Sequence, residues 1–171
     1  MMDASQSLPE LVSAAKANAR TFEDRIVEAS NLVAEQATTG TGGEELRSAT
    51  QGLKDTAIDI FSVFEARMQH HFKRGPFSRK LRSLLAEAGE VELADRVYQY
   101  YLMTNVLKHG KGASYRELLD TPTTHFTIKT AEGGAEAAPV SGEDLIDVTA
   151  PGFFDGLADT ILEAFNFLEK K

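Results

Sequence analysis

The sequence predicts an all-α fold: an antiparallel bundle of four long helices, joined by short helices, with a small β-hairpin or extended excursion before the last helix. Apolar residues recur at threes and fours over most of the chain. The breaks between these stretches are short and marked by Gly or Pro. Alternation with period two is confined to one stretch, His125–Thr130.

In the first segment Leu8, Val12, Ala15, Ala19, Phe22, Ile26, Ala29 and Val33 form one stripe. Ser7 is placed to cap it, and Pro9 falls in the first turn, where its missing N–H costs little. Thr38–Gly43 ends it. A second helix, Glu44 to Phe72, carries Leu46, Ala49, Leu53, Ala57, Ile60, Phe64 and Met68 on one stripe. Ile58 and Phe61 lie off that stripe, which places this helix among neighbours on several sides. Gly75-Pro76 breaks the chain, and Ser78 or the proline opens a third helix through Leu81, Leu84 and Leu85 to Gly89.

The fourth helix runs from Val91 to His109, with Gly110 as its stop. Ser114 is placed to cap a short helix bearing Tyr115, Leu118 and Leu119. Next comes the excursion, 121–150: the alternating stretch, a small Gly-rich loop from Ala131 to Gly142, and the run Leu145-Ile146-Asp147-Val148. The last helix, Pro151 to Glu169, has Phe154, Leu157, Ile161, Phe165 and Leu168 on one face.

At 171 residues and 42% apolar content the chain reads as one domain, 1–171, able to bury about 70% of its unfolded surface without disulfide or metal support. With no Cys it offers no disulfide scaffold, no Cys-based zinc site and no thiol nucleophile. The start of the chain lacks the basic and apolar regions of a signal peptide. No apolar run approaches the roughly 20 residues of a membrane span. These features predict a soluble cytoplasmic protein with no membrane partner, no metal and no cofactor.

The net charge of −8 speaks against a broad nucleic-acid or anionic-membrane binder. The charge is uneven, however: residues 67–116 sum to +6 and the remainder to −14. The densest basic stretch is Arg67-Met68-Gln69-His70-His71-Phe72-Lys73-Arg74, continued by Arg79, Lys80 and Arg82. Such a side suits a phosphate-rich partner, a solvated face, or a contact with the acidic part of another chain.

The segment Tyr98–Gly112 holds the candidate site. Asn105 and His109 are four apart and project from one side of the fourth helix, nearly in line with Tyr98, Tyr101 and Leu102. His109 can move protons near neutral pH. Lys108, Lys111, Arg116 and Arg74 are the candidate phosphate ligands. The plain alternative is a helix-end His favoured by the dipole, with Gly110 simply the stop.

Asn105-x-x-x-His109-Gly110 near the end of a bundle helix resembles the HEPN superfamily of compact α-helical bundles. Many of its members are metal-independent endoribonucleases of toxin–antitoxin, abortive-infection and other defence systems. The family motif is an Arg, then a His four to six residues on, with a polar residue, often Asn, after the Arg. Asn105 and His109 match the polar residue and the His. The Arg has no counterpart: its positions hold Leu102, Met103 and Thr104. In the family the Arg neutralises the scissile phosphate while the His assists transfer to the 2′-hydroxyl. The resemblance therefore implies a degenerate, binding-only member, with Lys108 or Lys111 supplying charge from another helical angle. It also implies an acid on an earlier helix, a role open to Glu65, and a homodimer that pairs two His109 side chains.

Other motifs carry less. Gly40-Thr41-Gly42-Gly43 follows a helix rather than a strand, and Gly110-Lys111-Gly112-Ala113-Ser114 lacks Walker A spacing. His70 and His71 are adjacent and diverge on a helix. Glu92-x-x-Asp95 echoes all-α pyrophosphohydrolases, but Glu44-Glu45 is no second acidic pair at that spacing. Three readings follow: a HEPN-like binding or regulatory module for RNA, a nucleotide or a protein such as an antitoxin; a metal-independent endoribonuclease using His109; or a purely structural interaction bundle.

Overall fold

The computed structural model describes residues 6–35, 41–121, 123, 125–129 and 145–170. They form six helices: α1 (Leu8–Glu35), α2 (Thr41–Met68), α3 (Phe77–Glu87), α4 (Val91–His109), α5 (Ala113–Asp120) and α6 (Phe153–Glu169). A 3-10 turn, Gln69–His71, extends α2. The all-α expectation holds. Among the described residues there is no strand, and residues 125–148 contribute one antiparallel bridge, Ile128 to Ile146. The Ala131–Gly142 loop and residues 38–40 of the Thr38–Gly43 break lie outside the described residues.

α1 begins where a capping box closes it. The Ser7 N–H donates to Glu10 Oε2 at 2.8 Å, and the Glu10 N–H donates to Ser7 Oγ at 3.3 Å. The predicted stripe is buried from Leu8 to Ala29 except for the half-buried Phe22, but Val33 is 38% exposed. α1 packs most extensively on α2, and Gly52 permits their close approach: a Cβ there would lie 2.2 Å from the Phe22 ring. Arg25 covers that ring at 5.5 Å and pairs with Glu45 at 2.8 Å.

α2 starts earlier and ends earlier than the sequence pattern suggests, because its last turn tightens into the 3-10 turn. Of the two residues off the stripe, Phe61 is buried and Ile58 is half-buried against the core, in line with the neighbours expected on several sides. α2 also contacts α4 and α6, and α6 contacts α1 and α4. One continuous buried cluster draws on all six helices. Among the described residues no helix is long and apolar enough to cross a membrane.

Residues 123 and 125–129 dock on α4 and α5, and 145–147 pair with 127–129. Phe126 packs on Tyr100 with ring centroids 5.3 Å apart, Thr123 Oγ1 donates to Gln99 Oε1 at 2.7 Å, and Tyr115 donates to the Lys129 carbonyl at 2.9 Å. Leu145, Ile146 and Val148 are buried. α6 then starts at Phe153, two residues later than the sequence suggests, behind a turn at Pro151-Gly152.

Candidate functional site

The site is built at the corner between α4 and α5. The α4 bounds match the expected Val91–His109, and Gly110 ends the helix as predicted. Gly110 has φ 72 and ψ −142, a conformation closed to side chains with a Cβ, and its N–H reaches the Val106 carbonyl at 2.7 Å. The chain therefore leaves the helix sharply, and Lys111 and Gly112 carry it into α5.

Ser114 does not cap α5. The N-cap is Gly112, without a side-chain hydrogen bond, and Ser114 lies inside the helix. Its hydroxyl instead accepts from Asn105 Nδ2 at 3.3 Å. Asn105 is thus half-buried and committed to fastening α4 to α5. His109, Lys108, Lys111 and Arg116 are exposed around the same corner.

The three positions where the HEPN pattern would place its Arg all face the interior: Leu102 is 2%, Met103 0% and Thr104 1% exposed. Thr104 Oγ1 turns back to the Tyr101 carbonyl at 2.9 Å. A guanidinium at any of them would lose its water without a partner.

Glu65 approaches the corner from α2. Burial raises its carboxyl pKa above the ordinary value of 4.5, and the Lys108 charge partly offsets that rise. A carboxyl raised in this way binds more protons folded than unfolded, so it withdraws stability as pH climbs through its folded pKa. Glu65→Gln is expected to stabilise the protein at pH 7, with the gain shrinking to nothing as pH falls below 4.5. Thermal melts of both proteins across pH 3 to 8 check this; equal gains at all pH values would contradict it.

A second group of cations surrounds the start of α3. Lys73, Arg74, Arg79 and Lys80 are all exposed. Lys80 folds back over Gly75, where a Cβ would meet its Cε at 2.7 Å and its Nζ at 3.6 Å. No ion pair involves Lys73, Arg74 or Lys80 among the described residues. Nearby, Arg82 stacks on Tyr98 at 4.3 Å and pairs with Asp95 at 3.5 Å. Tyr98 in turn has its phenol pKa raised, mainly by burial and then by Glu117. No hydrogen bond or ion pair joins Arg74 to the α4–α5 corner. Sequence reasoning named Arg74 as a candidate phosphate ligand but Lys80 only as part of the basic stretch. The signal was present, since residues 66–86 hold six Lys/Arg and no acid.

Among the described residues no group of three or more His, Cys, Asp or Glu could hold a metal ion. No protein-family model matches the chain, no curated protein is significantly similar to it in sequence, and no solved structure is significantly similar to its fold.

Proposed function

We propose that this protein is a HEPN-like helical module that binds a phosphate-rich partner, RNA first, on the side running from the end of α2 to α5, and that it does so without cleaving it. The carrying observation is the acid-free stretch 66–86, whose Lys73, Arg74 and Lys80 stand exposed and unpaired among the described residues. Unpaired cations on one side of an otherwise acidic protein are suited to displacing counterions from a phosphate backbone. The reading adds to these cations Lys108, Lys111 and Arg116, which are exposed at the α4–α5 corner beside His109. The absence of catalysis follows from the interior placement of Leu102, Met103 and Thr104, together with the engagement of Asn105 by Ser114. The reading also takes the contacts among α1, α2, α4 and α6 as those of an antiparallel four-helix bundle, with 121–150 as its excursion. It further takes the protein as a cytoplasmic homodimer.

Fluorescence anisotropy with a labelled U12 RNA tests the reading. Binding is expected to weaken between 50 and 200 mM salt, with a log–log slope of about −0.7 per phosphate engaged. The Lys73→Ala/Arg74→Ala/Lys80→Ala variant is expected to flatten that slope by about 2 and weaken binding at least about tenfold at low salt. Absence of saturable binding at 50 mM salt, or an unchanged variant, overturns the proposal. RNA cleaved in the presence of EDTA by the native chain but not by His109→Ala would make the protein an endoribonuclease instead.

A further inference from the structure

Among the described residues the Ile128–Ile146 bridge leaves one backbone edge unpaired. Its hydrogen bonds run from the Lys129 N–H to the Leu145 carbonyl at 2.7 Å and from the Asp147 N–H to the Thr127 carbonyl at 3.0 Å. The bridged residues are therefore a non-hydrogen-bonded antiparallel pair, whose own N–H and C=O groups point away from each other. Those of Ile128 have no hydrogen-bond partner among the described residues.

Beside this edge lies a groove of about 440 Å³ lined by Leu119, Thr121, Thr123, Phe126, Thr127 and Ile128, among others. Among the described residues no charged side chain lines it. The hydroxyls of Thr121 and Thr123 are already spent on the Glu117 carbonyl at 2.9 Å and on Gln99 Oε1 at 2.7 Å. Leu119 remains 47% exposed.

We propose that this edge takes an extended, uncharged segment of a protein partner by strand addition. The unmet groups are one main-chain donor and one main-chain acceptor on a single residue, the complement of a residue in an extended peptide. A helix has no free backbone groups of that kind in its interior. A nucleic acid would find no cation in the lining, and a charged side chain would lose water there without a partner. The added strand sets alternate aliphatic side chains against Leu119 and Ile128. None of this depends on the phosphate-binding reading, because the two sites share no residue.

The test uses the full chain, labelled with 15N, and the peptide acetyl-Thr-Val-Thr-Val-Thr-amide. In the free protein the Ile128 amide is expected to exchange with deuterium quickly, and saturating peptide to slow it by about tenfold or more. A counterpart methylated at every backbone nitrogen should have no effect. Leu119→Asp, at an exposed position, should weaken peptide binding about tenfold while leaving the melting temperature unchanged. Three outcomes overturn the proposal: an Ile128 amide already protected in the free chain, meaning that the chain covers its own edge; no change with millimolar peptide; or equal binding of the methylated peptide.

Discussion

Phe64→Ala is expected to remove about 3–5 kcal/mol from the free energy of unfolding, read as a fall in the denaturant midpoint at unchanged m-value. Phe64 is 0% exposed and lies between two other rings: Phe61 at 5.7 Å and Phe77 at 5.4 Å, both edge-on. Truncation leaves a cavity in the core near the C-terminal end of α2, and it also leaves Phe77 without the α2 ring that seats the start of α3. Each aromatic pair contributes about 0.5–1.5 kcal/mol beyond area burial, so the loss should sit in the upper part of the range. Against a total of about 5–15 kcal/mol for a domain, this is a large fraction. Phe64→Leu keeps most of the volume and should cost less than about 2 kcal/mol, so the prediction remains measurable even if the alanine variant fails to fold. Phe72→Ala is the contrast. Its ring meets Phe77 at 5.6 Å but is only half-buried, so its loss should be smaller than that of Phe64. A loss under about 1 kcal/mol for Phe64→Ala would mean that the surrounding rings close over the space. The same chain of rings, Phe64 to Phe77 to Phe72, anchors both ends of the loop that presents Lys73 and Arg74.

What the sequence makes legible follows from how local each signal is. α4 was readable to its last residue because Gly110 must take a conformation that only glycine accepts readily. The end of α2 was less readable, since nothing in Gln69-His70-His71 forbids helix and the tightening there is a three-residue affair. Ser114 looked like a cap by residue type, but the hydroxyl is drawn to Asn105 across the corner, a tertiary contact that no local rule contains. The period-two stretch located the one bridge among the described residues, and on its Phe126 side the described pairing goes no further. The Val148 N–H turns back to the Ile146 carbonyl at 3.1 Å, which bends the chain before another pair can form. At the candidate site, the cations were all visible one by one. Which of them lack partners, and that Lys108 lies across from Glu65, depends on the packing of α2, α3 and α4 and could not be read from spacing.

Gly156→Ala is expected to destabilise the protein by about 1–3 kcal/mol, the opposite of the gain of about 1 kcal/mol that alanine normally brings to a helix interior. A Cβ at 156 would stand 2.5 Å from the Tyr100 hydroxyl oxygen and 3.7 Å from its Cζ. The Tyr100 ring has little room to retreat: it is 1% exposed, with Phe126 at 5.3 Å and His125 at 6.3 Å. Removing only the oxygen should therefore remove the conflict, because the remaining ring carbon lies at ordinary contact distance. Gly156→Ala placed on a Tyr100→Phe background should then be neutral or stabilising, with the helix gain of alanine restored. The double-mutant cycle should give a coupling of at least about 1.5 kcal/mol. Burial pushes the Tyr100 phenol up to about 12, with the Arg96 charge opposing, so the hydroxyl stays neutral throughout the range in which the fold is measured. The coupling should accordingly be the same at pH 6 and pH 9, as a steric effect requires and an ionic one would not. Single-variant effects that simply add within about 0.5 kcal/mol would show that this glycine is not kept for Tyr100. If the coupling is found, the approach of α6 to α4 is set at one hydroxyl, and Tyr100 carries on its other side the Phe126 segment whose backbone edge is the proposed peptide site.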